Sequence, residues 1–149
     1  MTAVRVLIVD DQEPFRRAAA AVVAVAEGFE LAGAVESAQE CLAAVPQLRP
    51  DLVLMDIGLP GIDGIEAARR LSLLPEPPVV LLISTHDPEE FGDRARACGA
   101  VAYLSKSAFG PERLAAAWAL ATGIEARTVR TAAESETAAP SRRPSSSSS

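Results

Sequence analysis

The chain has 149 residues and a formal net charge of −6, and 49% of its residues are apolar, enough for one domain with a real core and residues to spare. The acidic balance excludes attraction of nucleic acid by bulk charge, though not by a local basic patch. The opening MTAVRVLIVDD reaches carboxylates too soon for a signal peptide and no apolar run approaches a membrane span, so a cytoplasmic protein is expected.

The first predicted element is a strand over Val4 to Val9, rich in β-branched residues and largely apolar on both faces, followed at once by Asp10 and Asp11. A helix over about 14–27 comes next, with Gly28 at its stop. Phe29 to Val35 reads as a weaker strand because Gly33 interrupts it. Ser37, with Glu40 three residues on, forms a capping box for a helix over 37–47. Leu52 to Met55 is the third strand and runs into Asp56. Asp63 caps a helix over 63–73, and PEPP at 75–78 is a rigid loop. Val79 to Ile83 is the fourth strand, leading into Ser84 and Thr85. Asp87 and Pro88 start a helix over 88–98 that stops at Gly99. Val101 to Leu104 is the fifth strand, just before Lys106, and a last helix covers 110–122. Beyond it, IEARTVRTAAESETAAPSRRPSSSSS has few large apolar residues and ends in serines. The expected organisation is therefore a folded unit over 1–122 and a disordered Ser/Ala/Arg-rich tail over 123–149.

Alternating strands and helices predict a parallel α/β sheet covered on both faces. In such sheets functional residues collect at the carboxyl ends of strands. Here four strand ends bring Asp10, Asp11, Asp56, Ser84, Thr85 and Lys106 to one edge. A lone acidic pair after a strand is more readily a solvated turn than a site; the joint placement is what favours a site. Converging carboxylates resist ionisation unless a cation shares the space. No Cys or His accompanies them, which indicates a hard, oxygen-binding ion, and Mg²⁺ fits. Lys106 is the only lysine, against thirteen arginines. A compact ammonium suits a tight anion site better than a planar guanidinium fork. A carboxylate nucleophile held between Mg²⁺ and Lys106 suits phosphoryl transfer through an aspartyl phosphate. Cys41 and Cys98 lack metal-ligand spacing and read as small buried hydrophobes in a reducing compartment.

The stretches VLIVDDQEPFRRA, PDLVLMDIGLPGIDGIEAARRL, LLIST and GAVAYLSKS together resemble the receiver domain of two-component response regulators, in order and over residues 3 to 122. The resemblance implies a flavodoxin-like, five-stranded parallel sheet of order 2-1-3-4-5. It implies that Asp56 accepts a phosphoryl group from a sensor histidine kinase, with Mg²⁺ held by Asp10, Asp11, Asp56 and the backbone carbonyl of Gly58. Lys106 and Ser84 would bind the phosphoryl group, and Ser84 with Tyr103 would form the switch. Pro60, Gly61 and Gly64 match the turn after the acceptor. The family lysine is very often followed by proline, whereas Ser107 follows here, a form similar to receivers attached to helix-turn-helix domains. The residues after the last helix cannot compose such a domain, so no DNA-binding domain is expected in this chain.

The implied function is a phosphorylation-activated signalling switch and not a conventional enzyme. Its expected partners are a histidine kinase, an unknown downstream protein and, on phosphorylation, a second copy of the chain; no membrane is involved. A receiver fragment of a transcriptional regulator, or a phosphorylation-independent binding module, are the competing readings. A phosphatase acting through an aspartyl phosphate is disfavoured, since Gly58 stands where a second acid is usual. His86 is either a modulator of the acyl phosphate or a plain loop residue. Arg16 and Arg17 either dock a kinase or are simply solvated, and Trp118 is read as a packing residue.

Overall fold

The computed structural model describes residues 3–85 and 97–123. His86, most of the predicted 88–98 helix and the tail beyond Gly123 lie outside the described residues. Five strands, β1 (Val4–Val9), β2 (Phe29–Val35), β3 (Leu52–Asp56), β4 (Val79–Ser84) and β5 (Ala102–Ser105), form one sheet. Its order is β2-β1-β3-β4-β5 and the paired strands are parallel. The described helices are α1 (Glu13–Val25), α2 (Ala38–Leu48), α3 (Gly64–Ser72) and α4 (Pro111–Thr122). Among the described residues no helix is long and apolar enough to cross a membrane.

Strand alternation divides the core in two. Leu7, Val9, Val53, Met55, Val80 and Leu82 pack on the side of α2 and α3. Val6, Ile8, Leu52, Leu54, Leu81 and Ile83 pack on the side of α1 and α4. Both faces of β3, of most of β4 and of β1 beyond Arg5 are thus buried, which is why these strands read as largely apolar runs. Fully burying a side chain such as Leu54 or Leu82 is worth about 1.5–3 kcal/mol, so the central strands are the rigid part of the molecule. Cys41 and Cys98 are both buried. Burial pushes the Cys41 thiol up to about 12, which leaves it inert.

Gly33 does not interrupt β2. The register with β1 slips between Val6 and Leu7, which pair with Leu31 and Gly33, so Ala32 is the extra residue of a bulge. Ser37 caps α2 by accepting from the Glu40 amide at 3.1 Å, but the Glu40 carboxylate reaches back to the amide of Glu36 instead of Ser37. Asp63 caps α3, accepting from the Glu66 amide at 2.9 Å. α1 stops at Val25, before Gly28, because Ala26 is already extended (ψ 118°). α2 is closed by Arg49 in the left-handed region (φ 50°), a position more often given to glycine.

The junction between β3 and α3 needs glycine for a different reason. A Cβ on Gly64 would lie 2.1 Å from the carbonyl oxygen of Asp56 and 2.9 Å from Ile57 Cα. The Gly64 amide donates to the Ile57 carbonyl at 3.0 Å. The first turn of α3 therefore presses on the backbone that carries Asp56, and only a residue without a side chain permits that approach.

Candidate functional site

The parallel order places the ends of β1, β3, β4 and β5 along one edge. Asp10 and Asp11 follow β1, Asp56 and Ser84 are the last residues of β3 and β4, and Lys106 follows β5. The chain reverses its winding between β1 and β3, so the edge lies at the topological switch point.

Carboxylate oxygens of Asp10, Asp11 and Asp56 lie within 4.8 Å of one another. Asp10 and Asp56 are buried, whereas Asp11 is exposed. Backbone amides aim the two buried groups: Gln12 N–H donates to Asp10 Oδ1 at 2.8 Å, and Gly58 N–H donates to Asp56 Oδ1 at 3.1 Å. Their Oδ2 atoms face Lys106, whose Nζ is 2.6 Å from Asp10 and 3.6 Å from Asp56. The close approach to Asp10 Oδ2 is off the hydrogen-bond direction, so charge attraction holds it and that oxygen has no directed hydrogen bond.

Burial, above all, raises the Asp56 carboxyl above its ordinary range, and the neighbouring Asp10 and Asp11 charges add to the rise. The Gly58 amide and the Lys106 ammonium act in the opposite sense. A buried acid beside two others invites a further cation. The donor set is all oxygen, which fits Mg²⁺ rather than a softer metal.

Ser84 is buried, and by alternation it continues the series Val80, Leu82 on the α2/α3 side of the sheet. Tyr103, half-buried opposite Leu82, packs against the same cluster. Gly58 is exposed in the turn after Asp56. The peptide bonds of the described residues, including that from Lys106 to Ser107, are all trans.

Three contributors were not legible in the sequence. Gln12 Oε1 accepts a hydrogen bond from Lys106 Nζ at 3.2 Å. The Phe15 ring lies under the same ammonium, 4.7 Å from ring centroid to Nζ. Arg16, read above as either a docking or a solvated residue, is tied into the site: its guanidinium donates to the Asp10 carbonyl at 2.8 Å and stands 3.9 Å from Glu36. Arg17 is exposed and paired with Glu13. Trp118 is half-buried against the α1/α4 side of the core, the packing role expected of it.

The protein is thus a doubly wound α/β domain whose switch point gathers three acids and one ammonium. The profile of the response regulator receiver domain matches residues 6–119, and the chain belongs to that family. It is 35% identical over 106 residues to the response regulator GacA of Pseudomonas aeruginosa, covering 70% of this chain and 49% of that protein. It is 32% identical over 103 residues to the transcriptional regulatory protein DegU of Brevibacillus brevis, covering 69% of this chain and 44% of that one. The signal receiver domain of NarL from Mycobacterium tuberculosis superposes with a TM-score of 0.75 at 28% identity, covering 83% of this chain and 99% of that structure. The chain thus spans about half the length of the curated relatives it matches. These neighbours agree with the expected likeness to receivers of helix-turn-helix-linked regulators, and the sheet order is the one that likeness implied.

Proposed function

We propose that Asp56 is the phosphoryl acceptor of this receiver, charged by a sensor histidine kinase. One observation carries the reading: the buried Asp56 carboxylate has oxygens of Asp10 and Asp11 within 4.8 Å and the Lys106 ammonium at 3.6 Å, with its other oxygen held by the Gly58 amide. Asp10, Asp11, Asp56 and the Gly58 carbonyl would hold Mg²⁺, which when bound offsets charge on the phosphoryl oxygens. Asp56 Oδ2 attacks phosphorus, the bond to the donor nitrogen or oxygen breaks, and the donor leaves with that electron pair. Lys106 turns from Asp10 to the transferred oxygens. Ser84 then donates its hydroxyl to the same group, and Tyr103, on the same side of the sheet, follows. The domain carries one phosphoryl group per event, so it acts as a switch and not as a conventional enzyme. Its downstream partner is a protein, and phosphorylation favours pairing with a second copy.

The test is acetyl phosphate with Mg²⁺. The wild type gains one phosphoryl group, labile to hydroxylamine, while Asp56→Asn, isosteric but non-nucleophilic, gains none. Stoichiometric labelling of Asp56→Asn would sink the assignment. A second reading, that this receiver serves a transcriptional regulator, is favoured by the likeness to DegU; it predicts phosphorylation-dependent control of a DNA-binding partner or segment.

A further inference from the structure

The Lys106 side chain is only 10% exposed, and among the described residues its ammonium meets Asp10, Asp56, Gln12 and Phe15. Two of them, Asp10 and Asp56, are members of the acidic trio suited to a cation. The other two, Gln12 and Phe15, are uncharged and outside that trio. When Asp10 and Asp56 turn their oxygens to a cation, Lys106 loses its nearest counter-charges and faces a dication instead. Its flexible four-carbon stem would then favour escape to solvent. We propose that Gln12 and Phe15 form a neutral cradle that keeps the ammonium at the site during this exchange. They are positioning residues for phosphoryl transfer, a role that rests on the reading of Asp56 as acceptor.

The frame is suited to the task. Gln12 is the N-cap residue of α1, and its amide is fixed on Asp10 Oδ1 at 2.8 Å. Phe15 lies in the first turn of the same helix, its amide donating to the Gln12 carbonyl at 3.1 Å. Arg16 ties that turn to the Asp10 carbonyl. The Phe15 ring is backed by Phe109, with centroids 6.2 Å apart and planes at 53°. Phe109 closes the short 3₁₀ turn that opens with Lys106 itself. The Phe15 end of the cradle is therefore anchored to the loop it holds, and the Gln12 end to Asp10. An amide oxygen and a ring face attract a cation less than a carboxylate does. They retain Lys106 without competing with incoming phosphoryl oxygens.

Two measurements test this on the full chain. Lys106 is the only lysine, so its ε-methylene gives one assignable NMR signal. Above the Phe15 ring that signal lies upfield of free lysine, and saturation with Mg²⁺ leaves it there. In Phe15→Leu it moves to the free-lysine position, and in Phe15→Tyr it does not. With acetyl phosphate at saturating Mg²⁺, Phe15→Leu is phosphorylated roughly two- to tenfold more slowly. Gln12→Ala is slowed in the same direction, Phe15→Tyr recovers the rate, and all keep wild-type Mg²⁺ affinity. A wild-type ε-methylene signal that reaches the free-lysine position on adding Mg²⁺ overturns the cradle. So does an unchanged rate in Phe15→Leu, or a loss of Mg²⁺ affinity that matches its loss of rate. If the wild type takes no phosphoryl group at all, the acceptor reading fails, and the NMR signal alone decides whether the cradle exists.

Discussion

Gly64→Ala probes the link between packing and site directly. At the first position of a helix, glycine to alanine ordinarily stabilises, by up to about 1 kcal/mol. Here the new Cβ would stand 2.1, 2.8 and 2.9 Å from Asp56 O, Asp56 C and Ile57 Cα. All three are backbone atoms of the buried end of β3, so no rotamer change relieves the clash. Either α3 lifts from the sheet or the Asp56 peptide moves. Overpacking of well-fitted interiors costs about 1–3 kcal/mol and occasionally more, and a clash confined to backbone belongs at the upper end, about 3 kcal/mol. With a urea m-value of about 1–3 kcal/mol/M, the midpoint should fall by about 1–3 M. Gly110→Ala is the control: its Cβ meets nothing within 4 Å and its φ of −171° is extended, so it should change stability by no more than about 0.5 kcal/mol. Urea titration of both variants checks the sign. Acetyl-phosphate labelling below the unfolding transition should show that folded Gly64→Ala accepts phosphoryl more slowly, because its acceptor backbone has shifted. A neutral or stabilising Gly64→Ala would refute the claim that close approach of α3 sets Asp56.

Three further outcomes are expected. Asp11→Asn removes a charged ligand and should weaken Mg²⁺ binding about tenfold or more in a titration, whereas unchanged affinity would place the ion elsewhere. The raised Asp56 carboxyl means that the folded state holds this proton more tightly than the unfolded chain, whose carboxyl titrates near 3.8. Stability from the protonated form is full below that value and is lost as pH rises through the raised one. Metal-free Asp56→Asn should therefore melt higher than wild type at neutral pH and equal to it well below 3.8; a constant difference across the range would contradict the argument. Lys106→Arg keeps the charge but brings a wide fork into a space shared with Asp10, Asp56, Gln12 and Phe15. At equal phosphorylation, its NMR shifts at Ser84, Thr85 and residues 103–107 should be smaller than those of the wild type, and a full wild-type response would mean that any positive charge suffices.

What could be read from the sequence follows from what is local. Short apolar runs dry on both faces, each ending in an acid, a hydroxyl or a lysine, are enough to place Asp10, Asp56, Ser84 and Lys106 on one edge. The spacing of Ser37 to Glu40 and of Asp63 to Glu66 likewise foretells two helix caps. The missed features depend on contacts between distant residues. Gln12 and Lys106 are 94 positions apart, and nothing in either stretch marks the amide as the partner of the ammonium. Phe15 packs at the edge of the core, and only the fold shows that its face lies under Lys106. The tie from Arg16 was not legible because its partner is a backbone carbonyl, which no residue pattern reveals. Gly33 misled because a bulge at an edge strand absorbs an extra residue without ending the ladder.

The central claim is that the converging carboxylates and Lys106 make Asp56, and neither of its acidic neighbours, the phosphoryl acceptor. Borohydride reduces an aspartyl phosphate to homoserine and so marks the modified residue permanently. Wild-type protein treated with acetyl phosphate and Mg²⁺, reduced and sequenced by tandem mass spectrometry, should carry homoserine at position 56 alone, and the mark should disappear when Mg²⁺ is chelated beforehand. Homoserine at position 10 or 11, or no mark under conditions that preserve acyl phosphates, would contradict the account.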